Sequence, residues 1–398
     1  MPMACPDCGG PLDFEYEKPR VLGDGVTSSM WRYRNVLPIL PETSVLTMGE
    51  GFTPLQKARS FGRCEVYIKN EALNPTGSHK DRALSIGITK ALEFGRDPVM
   101  LYSDGSTALS SAAYAARAGL RNITLVPERT PKYRLLPLVL YNSFVLEYQG
   151  RAAEALSWVH QACKELGIYE TSNYRQANPY ESEGAKTIGF EILEQLNAVP
   201  DWVVVPVGGG GSLAGIWRGF QELQAWGFTT KVPHMVAILP DRYTILERAV
   251  KQRVATEAEF EELATVELPA TIQAKIAMSC PPDGLEAAAA IRESEGLILY
   301  SSDQDVLEAQ KKLGSCEGIY AEPSAAASLV GVETLLKMKQ AGRDQSIVAI
   351  VTGSGFRETG TISEMVSVAP VPITPEAGIG VLEEILARWA GKNMSKEE

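Results

Sequence analysis

The chain has 398 residues and a formal net charge of -11, and 45% of its residues are hydrophobic. This length predicts two domains or one large domain with an insertion, and the negative charge argues against nucleic acid or an anionic membrane surface as a partner. No apolar run reaches the roughly 18 residues of a membrane span, and the six cysteines are too scattered for a disulfide framework. The first segment lacks a signal-peptide pattern, so we expect a cytoplasmic protein that acts on a small molecule.

The first two cysteines form a Cys-x-x-Cys turn. Cys5 and Cys8 offer two of the four ligands that a structural zinc ion takes. No second pair follows, and none of the 3 histidines is nearby in the sequence. We therefore predict a structural turn here and no metal site.

A turn centred on Lys80 is the first stretch that suggests chemistry. The sequence predicts a strand over 66–69, then the turn Asn-Pro-Thr-Gly-Ser-His-Lys-Asp-Arg over 74–82, and a helix that continues over 82–92. A lysine amine condenses with an aldehyde only when a dry or cationic environment keeps it partly neutral. At a helix N-terminus that faces a pocket, Lys80 is a candidate for that reaction.

The next stretch predicts a small α/β unit with soft bounds at residues 96 and 179. Its expected strands are 99–102, 123–126 and 144–148, and its expected helices are 108–118 and 152–166. The polar loop Ser103, Asp104, Gly105, Ser106 and Thr107 joins the first strand to its helix. Because backbone N–H groups converge in such loops, we predict that this loop binds a substrate carboxylate.

A run of four glycines follows the apolar strand predicted over 202–207. Gly208, Gly209, Gly210 and Gly211 are followed by Ser212 and by a helix predicted over 213–224. Without Cβ atoms the backbone can approach an anion closely, and the helix dipole favours negative charge. We therefore predict a phosphate site, which is not a Walker loop because no Gly-Lys-Ser/Thr follows.

The last third of the chain alternates strands and helices. Strands are predicted over 235–239, 297–300 and 347–351, and helices over 284–295, 303–313 and 324–339. The final strand runs into Thr352-Gly353-Ser354-Gly355, a second glycine turn with hydroxyl groups. This alternation predicts an α/β fold with a largely parallel sheet.

The lysine turn, the glycine run and the Thr-Gly-Ser-Gly turn, in this order, resemble the fold type II pyridoxal-phosphate enzymes, and among them the threonine synthase-like members. Further matches extend over nearly the whole chain. They are Trp31-Arg32-Tyr33, Gly49-Glu50-Gly51, residues 112–119, Asn178-Pro179-Tyr180, Glu183-Gly184, Lys186-Thr187 and residues 317–326.

The resemblance implies a fold, a cofactor and a set of roles. The fold is two open three-layer α/β/α domains with pyridoxal 5'-phosphate in the cleft between them. The large domain consists of residues 1–95 and 180–398, of which 1–45 are an N-terminal extension. The small domain consists of residues 96–179. Lys80 would bind the cofactor and shuttle protons, the glycine run with Ser212 would hold its phosphate, and Thr352 would face the pyridine nitrogen. A neutral hydroxyl there suits elimination and replacement at Cβ or Cγ. The family also implies a homodimer.

Several positions depart from the family pattern. Ser106 stands where an asparagine usually lies beside the cofactor's phenolic oxygen, Asp104 lies in a loop that is usually neutral, and Gly209 replaces an asparagine. Glu181 replaces an arginine, and a glutamate would repel a substrate phosphate that an arginine binds. His79 replaces a phenylalanine, and it would contact the cofactor phosphate, tune Lys80 or pack under the cofactor.

Three functions fit these patterns. The first is the threonine synthase-like reaction, in which O-phosphohomoserine gives threonine and phosphate, with Lys132 or Arg134 as further basic residues for an anionic leaving group. The second is ammonia release from serine, threonine or a diamino acid, or a β-replacement such as cysteate formation, which Asp104 and Glu181 favour. The third is a protein that binds pyridoxal phosphate without turnover, which the loss of asparagine at Ser106 suggests.

Overall fold

The computed structural model describes residues 5, 10–62, 64–264, 269–342, 344–358, 373 and 379–394, with residues 388–394 described by their backbone alone. The strands of the described chain form a large and a small sheet. The strands are β1 Leu55–Lys57, β2 Glu65–Asn70, β3 Val99–Tyr102, β4 Asn122–Pro127, β5 Phe144–Tyr148, β6 Tyr169–Glu170, β7 Trp202–Pro206, β8 His234–Pro240, β9 Leu297–Ser301 and β10 Ser346–Val351.

The large sheet has the strand order β1-β2-β10-β7-β8-β9, and all of its pairs except β1 with β2 are parallel. The small sheet has the order β5-β4-β3-β6 and is parallel throughout. Parallel strands need crossover connections, and helices supply them along most of the chain. The predicted α/β fold with a largely parallel sheet is therefore confirmed.

The α-helices of the first compact unit, Met1–Thr359, begin at the lysine turn and follow three short 3-10 helices, Met30–Val36, Arg59–Phe61 and Glu71–Leu73. They are α1 Lys80–Glu93, α2 Ser106–Ala118, α3 Lys132–Leu140, α4 Ala152–Leu166, α5 Pro179–Ser182, α6 Lys186–Leu196, α7 Gly211–Ala225, α8 Ile245–Gln252, α9 Glu257–Glu262, α10 Gly284–Glu293, α11 Asp303–Lys312 and α12 Pro323–Lys337. The second unit, Gly360–Glu398, contains α13, Gly380–Met394. Among the described helices, none is long and apolar enough to cross a membrane.

Alternate residues of the central strands face opposite sides of the large sheet. Val203 and Val205 of β7 pack with α6, α7, α8 and α10, whereas Val204 packs with α11 and α12 on the other face. Both faces are covered, so the central strands consist of buried apolar residues without polar alternation. This rigid sheet carries the loops in which most of the predicted site residues lie.

The sequence predicted most of these elements within a few residues but missed several others. Helix α3 contains Pro137, which argues against a helix when only the sequence is read. Strand β6 has only two residues, too few for a periodic signal, and α5 has four. The bounds predicted for the large and small domains stay a prediction. The zinc hypothesis cannot be followed further because Cys8 lies outside the described residues.

Candidate functional site

The lysine turn is attached to the end of strand β10. Ser78 and Gly353 form an antiparallel bridge, and the backbone N–H of His79 donates to the Thr352 carbonyl over 3.0 Å. The His79 Nδ1 atom lies 3.1 Å from the same carbonyl oxygen. Strands β2 and β10 are parallel neighbours, so the loops that follow them meet at one edge of the sheet. The structure thus brings two of the predicted motifs together.

A buried ion cluster fixes the start of helix α1 behind the turn. The guanidinium of Arg82 pairs with Glu71 over 2.7 Å and with Glu191 over 2.5 Å, and Lys69 pairs with Glu191 over 2.6 Å. All four side chains are almost fully buried. The cluster connects β2, α1 and α6. It therefore restricts the backbone of Lys80, which lies two positions before Arg82.

Lys80 is the first residue of α1, and its amine points toward the loop that follows β6. Its Nζ donates to Asn173 Oδ1 over 2.6 Å. Burial lowers the pKa of Lys80, while the carboxyl groups of Asp283 and Glu181 oppose that shift. Burial and the neighbouring Lys80 also lower the pKa of His79 to about 3, so its imidazole is neutral at physiological pH. The amine is therefore in the dry setting that condensation with an aldehyde requires.

A small pocket joins the lysine turn to the glycine run. Its lining comes from the lysine turn, the loop after β6, helix α5 and the start of α7. The lining residues are His79, Ala83, Asn173, Glu181, Ser182, Ala185, Gly211, Ser212 and Asp283. The predicted phosphate site and the predicted Schiff-base lysine therefore belong to one place in the molecule.

Gly208 and Gly210 of the glycine run have no room for a side chain. A Cβ at Gly208 would stand 2.5 Å from the Lys275 carbonyl oxygen, and one at Gly210 would overlap the backbone of Asp283. Gly210 also has a φ of 96°, which favours glycine. Helix α7 begins at Gly211, and its first turn holds N–H groups without partners inside the helix, beside the Ser212 hydroxyl. This cradle fits a phosphate group, and Lys80 across the same pocket fits an aldehyde.

The loop over 103–107 is tied to the end of β10 by an arginine. Ser103 Oγ accepts a 3.1 Å hydrogen bond from Gly105 N, and Ser106 begins helix α2. Arg357 donates to Ser106 Oγ over 2.9 Å, and its Cδ lies 3.2 Å from where a Cβ of Gly77 would stand. Arg357 thus connects the lysine turn to the loop over 103–107, which is predicted to bind the substrate carboxylate. This loop is not among the residues that line the pocket.

Asp104 is paired with a basic residue. Arg134 contacts Asp104 over 2.6 Å and Glu358 over 2.8 Å, and Lys275 lies 3.2 Å from the same glutamate. Arg134, one of the basic residues predicted to meet an anionic leaving group, therefore forms ion pairs with two carboxylates of the protein. The ion pair with Arg134 compensates the negative charge that Asp104 brings to the loop over 103–107.

Glu181 and Thr352 are both buried. Glu181 is 0% exposed and lines the pocket, and burial raises its pKa well above the ordinary value although Lys80 opposes the shift. Thr352 is 6% exposed and follows β10 directly, next to Gly353. The carboxylate of Glu322 occupies the space that a Cβ of Gly353 would take, so this acid lies beside the turn that follows β10.

Sequence reasoning missed Asn173, Asp283 and Arg357. Asn173 follows a strand of two residues, so no periodic signal indicated the loop in which it lies. Asp283 precedes α10, where an aspartate usually caps its own helix. Instead its Oδ1 accepts a hydrogen bond from Arg175 N over 2.8 Å, and its Oδ2 lies 2.5 Å from the Cβ position of Gly211. Only the folded chain shows that Asn173 and Asp283 approach Lys80 and that Arg357 lies beside Gly77 of the lysine turn.

Comparisons with known proteins agree with this geometry. Residues 46–353 match a family model described as pyridoxal-phosphate dependent enzyme. Threonine synthase of Methanocaldococcus jannaschii is 36% identical and that of Methanosarcina acetivorans 34%, each over 96% of this chain and 94% of the relative. A processed threonine deaminase isoform 2 from Solanum lycopersicum shares the fold, with a TM-score of 0.65 and 19% identity over 79% of this chain and 88% of that one.

Proposed function

Because this chain belongs to the pyridoxal-phosphate dependent enzyme family, we propose that Lys80 binds the cofactor's aldehyde and that residues 208–212 hold its phosphate. The observation that carries this proposal is the single pocket lined by His79, Gly211 and Ser212, with the Lys80 amine beside it. The bound cofactor supplies an acceptor for electron density, which weakens bonds at the α-carbon of an amino acid.

The chain is a pyridoxal-phosphate-dependent lyase of the threonine synthase-like kind. This confirms the cofactor, the enzyme class and the family that the sequence motifs predicted. The finer assignment, which amino acid is the substrate and which group leaves it, is a proposal that rests on the residues around Lys80.

Each predicted site residue receives a role in this proposal. Lys80 removes the α-proton and returns it, since burial lowers the pKa of its amine. The Thr352 hydroxyl would hold the pyridine nitrogen, and Ser106 would contact the phenolic oxygen. The N–H groups over 103–107 hold the substrate carboxylate. His79 packs beside the cofactor as a neutral imidazole, because its pKa is lowered to about 3.

The reaction is elimination or replacement at Cβ or Cγ of an α-amino acid. The family's reference substrate, O-phosphohomoserine, is one candidate, and an amino acid that releases ammonia or undergoes β-replacement is the other. The buried carboxyl of Glu181 in the pocket favours the second candidate. A purely binding role is disfavoured by the lowered pKa of the Lys80 amine, which suits proton transfer.

Absorption spectroscopy and turnover assays test this proposal. Wild-type protein with pyridoxal phosphate is expected to show the visible band of a lysine-bound cofactor and to consume at least one amino acid. Lys80→Ala is expected to lose both, whereas Lys164→Ala on the surface of α4 keeps both. A visible band that survives in Lys80→Ala contradicts the assignment of the lysine.

We also propose that the protein acts in the cytoplasm as a homodimer with the two domains predicted above. Cys64, Cys163, Cys280 and Cys316 are unpaired thiols, which suits a reducing compartment.

Leu136, Val139 and Leu140 of α3 are exposed by 68%, 61% and 80%, which supplies apolar surface for a partner chain. Light scattering of the purified protein tests the dimer, for which a mass of one chain is the contradicting result.

A further inference from the structure

Glu181 lies along the same face of helix α1 as Lys80. A Cβ at Gly87 would overlap the Oε1 and Cδ atoms of Glu181, so the glutamate occupies the space that a side chain at position 87 would fill. Positions 80 and 87 are two helical turns apart and share one face of α1. The glycine therefore makes room for a carboxyl group on the side of α1 that begins with the reactive lysine.

The two carboxyl oxygens of Glu181 have different surroundings. Oε1 accepts a hydrogen bond from Asn178 Nδ2 over 3.1 Å, whereas Oε2 has no partner within the described part of the chain. The side chain is fully buried and lines the pocket together with Asn173 and Asp283. A buried polar atom without a partner is costly, so Oε2 is suited to a ligand that forms a hydrogen bond inside the pocket.

Burial favours the protonated form of Glu181. Burial raises the pKa of Glu181, the Lys80 amine on α1 opposes the shift, and Glu170 at the end of β6 adds to it. Burial also raises the pKa of Asp283, on the loop before α10, to about 7. A phosphate ester dianion in this pocket would meet the partly ionised carboxyl of Asp283 at neutral pH, whereas a hydroxyl group can accept a hydrogen bond from the Glu181 carboxylic acid.

We propose that Glu181 restricts the substrate to a hydroxy amino acid whose hydroxyl is the leaving group, and that its carboxyl donates the proton with which that hydroxyl departs as water. This inference rests on the function proposed above. Hydroxide is a poor leaving group and needs a proton, whereas chloride leaves as a stable anion. Glu181 therefore supplies a proton that a hydroxyl requires and a halide does not.

The step balances with residues of this chain. Lys80 takes the proton of the breaking C–H bond, and that bond's electron pair forms the new carbon–carbon double bond. The carbon–oxygen bond breaks with its pair on oxygen, which takes the Glu181 proton and leaves as water. Transfer of the proton from the Lys80 ammonium to the Glu181 carboxylate then restores both groups, which interact electrostatically in the structure.

A substrate panel with the wild-type holoenzyme tests the leaving group. It consists of L-serine, L-threonine, O-phospho-L-homoserine and L-2,3-diaminopropionate, with assays for 2-oxo acid, ammonia and phosphate. One hydroxy amino acid is expected to have a kcat/KM at least about 10-fold above those of the phosphate ester and the diamino acid, which is a modest difference in transition-state binding. A preference for the phosphate ester or the diamino acid overturns the inference.

The variant Glu181→Gln separates proton donation from a merely structural role. It is expected to lower kcat on the hydroxy amino acid at least about 100-fold and on β-chloro-L-alanine less than about threefold, because chloride leaves without a proton. Equal losses on both substrates overturn the inference. Glu165→Gln on the surface of α4 is the matched control and is expected to change neither rate.

Further readouts distinguish the inference from the function on which it rests. Circular dichroism and the visible cofactor band test whether Glu181→Gln folds and binds cofactor. If this variant does not fold, Glu181→Asp is used in its place. Glu181→Asp keeps an acid and is expected to retain the preference for a hydroxyl. Turnover of β-chloro-L-alanine that requires Lys80 supports the proposed function whatever Glu181 does. If the wild type consumes none of these amino acids, both the function and the inference fail.

Discussion

Lys80 and Asn173 meet at the pocket, where the lysine Nζ donates a 2.6 Å hydrogen bond to the asparagine Oδ1. Lys80 begins a helix that follows β2 of the large sheet, and Asn173 lies after β6 of the small sheet. The reactive amine is therefore oriented by a residue from the other sheet. A change in the position of the loop after β6 would therefore move the partner of this amine.

Asn173→Ala is expected to lower kcat about 10- to 100-fold while the cofactor band persists, because a hydrogen bond to a charged or partly charged amine is worth about 1.5–3 kcal/mol. Asn173→Asp is expected to raise the pKa of Lys80, because a carboxylate stabilises the ammonium form. The pH profile of kcat measures this shift. An unchanged profile in Asn173→Asp would show that the asparagine does not position the amine.

The buried cluster around Arg82 is expected to contribute far more stability than a surface ion pair. Replacing Arg82 with methionine leaves Glu71 and Glu191 buried without their arginine, and we expect the free energy of unfolding to fall by about 3–5 kcal/mol. Lys57 and Glu65 form a matched surface pair with side chains 50% and 39% exposed, and Lys57→Met is expected to leave the free energy of unfolding nearly unchanged. Urea unfolding of both variants measures the difference. Equal losses would contradict it.

Gly210 is expected to be essential for holding the cofactor phosphate. A Cβ there meets the backbone of Asp283, and a φ of 96° is strained for any other residue at about 1–3 kcal/mol. Gly210→Ala should therefore raise the Kd for pyridoxal phosphate about 10- to 100-fold. Gly314→Ala is the control, since a Cβ at Gly314 meets nothing within 4 Å. Fluorescence titration of the cofactor measures both, and similar Kd values would contradict the role of the glycine.

The sequence predicted those parts of the site that depend on local chain chemistry. The lysine turn and the glycine run each need residues that are adjacent in the chain, so their patterns are visible without a structure. Asn173 and Asp283 reach the pocket through the pairing of distant strands and the packing of loops, which no local period encodes. Asp104 shows the same limit, because its partner Arg134 lies on a helix that Pro137 concealed.

The charge at Asp283 is expected to make stability depend on pH in an unusual direction. Burial raises the pKa of this carboxyl from 3.8 to about 7, so between these values the folded chain keeps a proton that the unfolded chain has released. A folded state that binds more protons loses stability as pH rises, and the loss is complete once pH exceeds about 7. Other acids with raised pKa values, such as Glu222 and Glu257, add to the same trend.

Asp283→Asn isolates this contribution, because the amide keeps an oxygen for the Arg175 N–H but does not titrate. Between pH 5 and pH 8 the free energy of unfolding of the cofactor-free wild type should fall by about 3 kcal/mol more than that of the variant, since each pKa unit is worth about 1.36 kcal/mol. Urea unfolding at the two pH values measures both proteins, and contributions of other acids cancel in the subtraction. Parallel pH dependences would show that Asp283 titrates at its ordinary pKa and carries a charge beside the glycine cradle at neutral pH.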